Sequence, residues 1–366
     1  MRKIYQKKHL KNFLVLTMVL AAVVVIFCFE VDANVERNPC QDTHVVRLMS
    51  GVTSMLGKTE MGAKMTGDKS VSGGSKKCLI VRVLDIGQGD SISITAPNGN
   101  SMLIDAGPAD GPVLERLSES LGFFDRTIDV LLPTHVDADH IGGMQQVLGK
   151  YKTSLWFESG VRSDTQLSGD MDTLVSSMKL PKVTAVRGER IILDKDNDVE
   201  FTVLSPDDDF YLEAYKKCEM ANIHKNLRKE LACEKDLIPE TNTSSIVGRL
   251  TYGITSFMMT ADSPIPVEDF LIDHVPLDEL RSDVLKVGHH GSKNSTSPEY
   301  LEAVSPSYAV ISVGVNNRYG HPNQIVLDNL KKYGEEHPDK NLKVTRTDQS
   351  GTITFVSDGT SVFESP

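Results

Sequence analysis
The stretch THVDADHIGG places His135, Asp137, Asp139 and His140 within six residues, between an apolar run ending at Thr134 and the pair Gly142-Gly143. Two imidazoles and two carboxylates packed so closely are costly to hold unless a cation gathers them. On an extended chain His135, Asp137 and Asp139 share one face, and His140 turns at the start of a helix, so the group addresses two adjacent metal positions. A solvated loop with Asp139 as a helix cap explains one of these residues and leaves the others unexplained.

A second group stands in KVGHHGSKNSTS, where His289 and His290 follow the short apolar run DVLKV and precede Gly291. Neighbouring imidazoles at a strand end suit metal ligation and contact with a phosphate. Asp262 in FMMTADS and Asp105 in SMLIDAG each end an apolar run. One such Asp is usually a turn former. Two beside a His-Asp cluster predict a carboxylate shared between ions and another that steadies a ligand. His321 in NRYGHP is a candidate proton donor to a leaving group, with a structural role beside Pro322 equally open. The turn Gly87-Gln88-Gly89-Asp90 lets backbone approach a substrate, although a turn between strands needs no ligand. Trp156 and the tyrosines read as core rather than as stacking surfaces. With no G-x-S-x-G turn and no suitably placed cysteine, a covalent nucleophile is not expected.

Residues of this kind need strand ends to position them. From Leu79 the chain runs in β-branched stretches broken by glycine, which predicts strands over 79–86, 91–95 and 101–105, the last two a hairpin across Pro97-Asn98-Gly99-Asn100. A helix over 113–121 leads to the buried-type strand ending at Thr134, then helices over 142–148 and 171–178 and strands over 155–157 and near Val183 and Phe201. After residue 240 follow strands over 244–253, 254–260, 283–287 and 308–313, helices over 297–304 and 324–333, and strands over 342–347 and 351–356. Strands and helices interleave throughout, so the fold class is α/β with a mixed sheet. The Lys-, Glu- and Leu-rich stretch 206–240 reads as an inserted helical excursion, 34–78 as a linker and 359–366 as a tail.

Basic residues Arg2, Lys3, Lys7, Lys8 and Lys11 precede an uncharged, mostly apolar run from Phe13 to Phe29. This start predicts a signal peptide cleaved before Asn34 or an uncleaved membrane anchor; either way the rest is exported, secreted or periplasmic, or held at the membrane outside the cell. Without residues 1–33 the net charge moves from −11 to −14, which argues against a general nucleic-acid coat protein. Export makes pairing of Cys40, Cys78, Cys218 and Cys233 possible, with Cys40 to Cys78 and Cys218 to Cys233 the most local of three connectivities.

Taken in order, LDIGQGDS, MLIDAG, THVDADHIGG, TADS, KVGHHGSKNSTS, NRYGHP and TRTDQSGTI resemble the metallo-β-lactamase fold, and within it the hydrolase domain of the ComEC competence proteins, over about residues 79–357. The resemblance implies an αββα sandwich with a dinuclear site at one sheet edge. It implies that His135 and Asp137 hold a first ion, that Asp139, His140 and His290 hold a second, and that Asp262 bridges them. His289 is then free for substrate phosphate, and Asp139, His289 and His321 carry the catalytic roles. The superfamily's commonest motif, H-x-H-x-D-H, has Asp137 here in place of its second His. Its further His ligand has no counterpart: His224 lies in the insertion, and the matching stretch is Asn242-Thr243-Ser244-Ser245.

Two divalent ions, Zn2+ or Mn2+, follow from this likeness, the exchange of imidazole for carboxylate moving the first position towards the harder ion. The leading expectation is an exported phosphodiesterase or nuclease using hydroxide held between the ions, with nucleic acid a possible substrate. The rivals are a hydrolase of a small ester, such as a phosphorylcholine ester or lactone, and an inactive metal-binding interaction domain. A basic stripe beside the site favours nucleic acid, and an enclosed aromatic pocket favours a small ester.

Overall fold
The computed structural model describes residues 78–121, 126–207 and 241–365. The export segment, the linker up to residue 77, the helical excursion from residue 208 to 240 and Cys28, Cys40, Cys218 and Cys233 lie outside the described residues. Among the described residues no helix is long and apolar enough to cross a membrane.

Two mixed sheets pack face to face. The first contains β1 (Leu79–Val83), β2 (Ile92–Thr95), β3 (Ser101–Ile104), β4 (Thr127–Leu132), β5 (Lys152–Glu158), β6 (Lys182–Thr184), β14 (Ile353–Ser357) and β15 (Val362–Ser365), in the order β15-β14-β1-β2-β3-β4-β5-β6. The second runs β13-β12-β11-β10-β9-β8-β7, built from β7 (Arg190–Asp194), β8 (Val199–Ser205), β9 (Val247–Tyr252), β10 (Thr255–Met259), β11 (Val284–Lys286), β12 (Tyr308–Ile311) and β13 (Lys343–Arg346). Alternation along β1 turns Leu79, Val81 and Val83 inward, where they join Ile94, Met102, Phe201, Phe257 and Phe355 in the core between the sheets.

Helices cover both outer faces, which makes the sandwich αββα. On the first sheet lie α1 (Val113–Leu121), α3 (Met144–Lys150) and α4 (Gln166–Met178), burying Val113, Leu117, Val147, Met171 and Val175. On the second lie α5 (Ile265–His274), α7 (Pro298–Val304) and α8 (Gln324–Glu336). The last starts where the Asn323 side chain accepts from Ile325 N, and it buries Val326, Leu330 and Tyr333 along one stripe. Short helices α2 (Ala138–Ile141), α6 (Leu277–Leu280) and α9 (Thr347–Ser350) complete the set.

Each sheet is antiparallel on one side and parallel on the other, the change falling at β3 in the first sheet and at β10 in the second. Chain ends of parallel strands meet loops that can gather side chains at one edge, the usual place for a site in α/β proteins. Here Asp105 follows β3, His135 follows β4, Asp262 follows β10 and His289 follows β11.

Several expectations need correction. Within the stretch read as a tail, residues 362–365 form β15 and pair antiparallel with β14. The helix expected over 142–148 is α3, which starts at Met144 after a separate short helix, α2, and between them Gly143 lies against the Ala106 carbonyl, where a Cβ would sit 2.2 Å from that oxygen. Strand β7 and helix α5 were not expected. The proline-flanked sequence of α5 hides a helix that starts with Pro at its first turn and buries Glu268, whose carboxylate accepts from Thr296 N and Ser297 N.

Candidate metal centre
His135, His140 and His290 are at most 1% exposed, and each uses Nδ1 to fix its ring. His140 Nδ1 lies 2.8 Å from Asp105 Oδ2. His290 Nδ1 lies 2.9 Å from the Ser312 carbonyl. His135 Nδ1 lies 2.9 Å from Thr134 Oγ1, whose own proton goes to Asp105 Oδ2 at 2.7 Å. With Nδ1 turned outward in all three, the Nε2 atoms face one another, and none of them has a hydrogen-bond partner among the described residues. Asp262 Oδ1 is buried and equally unpartnered.

The backbone carries some of the burden of this arrangement. Asp105 (φ 56°), His289 (φ 46°) and His290 (φ 54°) all adopt left-handed conformations that a side chain disfavours. Asp105 is held there by Thr134, whose N and Oγ1 both donate to its carboxylate.

Spacing distinguishes two positions. His140 Nε2 to Asp262 Oδ2 is 3.3 Å, His290 Nε2 to Asp262 Oδ2 is 3.4 Å, and His290 Nε2 to Asp139 Oδ2 is 3.5 Å. Donors about 2.0–2.1 Å from a tetrahedral ion stand roughly 3.3 Å apart, and Asp139, His140 and His290 bring one donor each within 4.8 Å of one another. The His135 side is wider: His135 Nε2 is 3.7 Å from Asp137 Oδ2, although His135, His140 and Asp262 still bring their donors within 4.8 Å of one another. Asp137 precedes α2 without capping it, and its Oδ1 accepts from Thr241 Oγ1. Asp139 sits inside α2, not on an extended loop beside Asp137 as expected, and this turn aims it at His290.

The turn of residues 241–244 occupies the place where a further His was looked for. It supplies oxygen and amide groups instead: Asn242 Nδ2 is 3.5 Å from His289 Nδ1, and Ser245 Oγ is 3.5 Å from His135 Nδ1. His289 is partly exposed, with Nε2 3.5 Å from Asp262 Oδ2. His321 lies beyond it, their ring centroids 5.7 Å apart, outside the donor cluster.

Charge follows geometry. Burial alone would lower His140 and His290, but Asp262 with Asp105, and Asp262 with Asp90, overcome that and raise both well above the usual imidazole value. Burial would raise Asp262, yet His290 and His140 hold it well below the usual carboxylate range. His135 goes the other way, lowered to about 4 by burial and then by His140. Burial first, then neighbouring imidazoles, also lower His289 and His321. The protons that His140 and His290 retain mark where the carboxylates call for positive charge, and a divalent ion supplies it more fully.

Two residues escaped sequence reasoning. Asp90 and Lys286 form a buried ion pair, Oδ2 to Nζ 2.5 Å, and Asp90 Oδ1 stands 3.3 Å from His290 Nδ1. The glycine turn before Asp90 therefore has a specific task. Gly89 (φ +132°) lies so close to α2 that a Cβ would meet the Asp139 carbonyl at 2.0 Å. The lysine in DVLKV, the odd charge in an apolar run, was the available signal.

This fold and donor set define a class, and residues 84–189 match the family model of the Metallo-beta-lactamase superfamily. The chain carries a metallo-β-lactamase-superfamily domain, as its motifs imply. Within that class it is similar to the ComEC-like competence proteins. It is 30% identical over 298 residues to ComE operon protein 3 of Bacillus subtilis, covering 75% of this chain and 32% of that protein. It is 28% identical over 280 residues to Competence protein ComA of Neisseria gonorrhoeae, covering 75% of this chain and 32% of that one. The chain thus spans about a third of the length of the curated relatives it matches. Among solved structures, a variant of CmlA beta-hydroxylase aligns with a TM-score of 0.46 at 12% identity, over 84% of this chain and 59% of that one.

Proposed function
We propose that the protein is an exported, metal-dependent hydrolase of phosphodiesters. The observation that carries this reading is the set of three inward, unpartnered imidazole Nε2 atoms around Asp262, at 3.3–3.4 Å for His140 and His290. Asp139, His140 and His290 would hold one ion, His135 and Asp137 another, and Asp262 would be shared between them. Zinc suits the imidazole-rich position, and manganese competes at the one closed by Asp137. Ions bound there would supply Lewis-acid charge and a water of lowered pKa.

The chain's own groups do the rest. Asp105 and the Ser312 carbonyl hold His140 and His290 in one orientation, so no reorganisation is needed as charge develops. Asp139 would orient a water as well as help hold an ion. His289, at the exposed side of Asp262, donates to a phosphoryl oxygen, and His321 behind it donates to the leaving oxygen. The phosphodiester preference rests on likeness to the competence proteins and on the exchange of imidazole for carboxylate.

Metal analysis of the purified protein, then assays on bis-p-nitrophenyl phosphate, DNA, phosphorylcholine esters, lactones and a β-lactam, tests the reading. Metal-dependent cleavage of phosphodiesters above β-lactams is expected; a protein that binds no divalent ion, or that prefers lactones, refutes it. Export is tested separately by a mature start near Asn34 or an externally accessible body, and is refuted by a full-length soluble cytoplasmic chain.

A further inference from the structure
Asp139 also lines a groove of about 720 Å3, walled by the turn carrying Gln88, the loop over 108–112 and the segment Asn317-Arg318-Tyr319. Tyr319 departs from the expectation that the tyrosines are core, being 54% exposed. The ring is nevertheless fixed. His321 stands nearly parallel to it, with centroids 5.9 Å apart and planes at 15°. The Arg318 guanidinium lies 5.1 Å from its centroid, with Nη2 donating to the hydroxyl at 3.0 Å. Asn317 ties down the backbone, its Oδ1 accepting from Tyr319 N and His321 N and its Nδ2 donating to the Gly314 and His321 carbonyls.

Gln88 adds an unspent donor: Oε1 accepts from Gly314 N at 3.3 Å, while Nε2 is buried with no partner among the described residues. A buried donor left unmade is costly, so a wall that keeps one suits an incoming acceptor. Among the described residues lining the groove, Arg318 is the one cation, beside Asp110 and Asp139. A track for a long polyanion needs several cations. A rigid, exposed ring with a single guanidinium suits one aromatic ring and one phosphoryl group.

We propose that this groove is a subsite for an aromatic base, so that the protein acts on short, nucleotide-sized phosphodiesters or on a strand terminus, with the base on Tyr319, its phosphate at Arg318 and an acceptor oxygen at Gln88 Nε2. The proposal rests on the phosphodiesterase reading for its chemistry and on the groove for its specificity. It places the determinant of substrate choice on Tyr319 and Arg318, outside the metal donors.

Two measurements on the metal-loaded full chain test it. The first compares kcat/KM for thymidylyl-(3′→5′)-thymidine with that for the same diester lacking both bases. The base-bearing diester should be preferred by about 10- to 100-fold, mostly through KM. Tyr319→Ala should collapse the ratio towards one, and Tyr319→Phe should restore it. The second is equilibrium dialysis of thymidine 5′-monophosphate, whose binding should weaken about tenfold in Tyr319→Ala and in Arg318→Met. Hydrolysis of both diesters with no base preference, or a ratio indifferent to Tyr319→Ala, overturns the subsite and leaves the phosphodiesterase reading intact. Binding of the nucleotide through Tyr319 with neither diester cleaved supports the subsite and sinks the phosphodiesterase reading instead.

Discussion

On one side of Asp262, His140 and His290 are wholly buried, backed by Asp105 and the Ser312 carbonyl, and raised well above the ordinary imidazole pKa. On the other, His135 is equally buried but lowered to about 4, and its partner Asp137 has a side chain 39% exposed that leans on Thr241. The same residue types thus reach opposite electrostatic states within one cluster. The carboxylates Asp262, Asp105, Asp90 and Asp139 crowd the first pair, whereas His135 meets the charge of His140 before theirs. A preorganised position and an adjustable one follow from that difference.

Removing the residue common to both positions should break the comparison most completely. Asp262→Ala is expected to lose about a thousandfold or more in turnover, read as kcat on bis-p-nitrophenyl phosphate, because both positions lose a donor together. Full activity on every ester tried would end the dinuclear account.

The adjacent histidines sharpen it. His290→Ala should strip an ion from the purified protein by metal analysis, whereas His289→Ala should keep the metal content and show raised KM or lowered kcat. The reverse pattern would exchange their roles.

The opposite pKa shifts give a test on the metal-free protein. Because the folded value of His135 lies below its unfolded value near 6.5, its contribution to stability is complete above that pH and is lost as pH falls towards 4. In chelator, the stability advantage of wild type over His135→Gln should shrink by roughly 3 kcal/mol across that window in urea unfolding. His140 and His290, raised on folding, contribute stability below pH 6.5 that is lost as pH rises. A difference independent of pH would show that His135 is not held neutral by burial.

Smaller effects separate the supports. Asp105→Asn should weaken metal binding by about 10- to 100-fold in a competition titration, since it loosens His140 and Thr134 together. Thr241→Val removes a single hydrogen bond to Asp137 and should cost less than about tenfold. If Thr241→Val costs more than Asp105→Asn, the ranking of the two positions is inverted.

Much of this was legible beforehand where side-chain type and strand period coincide. The runs 101–104 and 127–132 were readable as strands because each ends in three consecutive apolar residues, Met102-Leu103-Ile104 and Val130-Leu131-Leu132, ahead of a polar site residue. Asp105 was recognised as a support on the same ground. Helix α5 was hidden because Pro264 and Pro266 resemble a loop until α5 packs onto the second sheet. Strand β15 was hidden because its burial is only intermediate and its pairing with β14 is what makes it a strand.

What the sequence determined by itself is the candidate donor set, because His135, Asp137, Asp139, His140, Asp262 and His290 are of the types that ligate cations and follow apolar runs. What only the tertiary structure decided is how these donors divide. Asp139 reaches His290 because α2 begins one residue earlier, and Asp90 reaches Lys286 because Gly89 presses against the Asp139 carbonyl. Likewise Tyr319 stays outside because Asn317 ties its backbone to Gly314 and His321. The first two depend on contacts between segments far apart in the chain, as does the 3.3 Å spacing of His140 and Asp262, which follow strands of different sheets, whereas the ties of Asn317 and the 3.7 Å spacing of His135 and Asp137 are local.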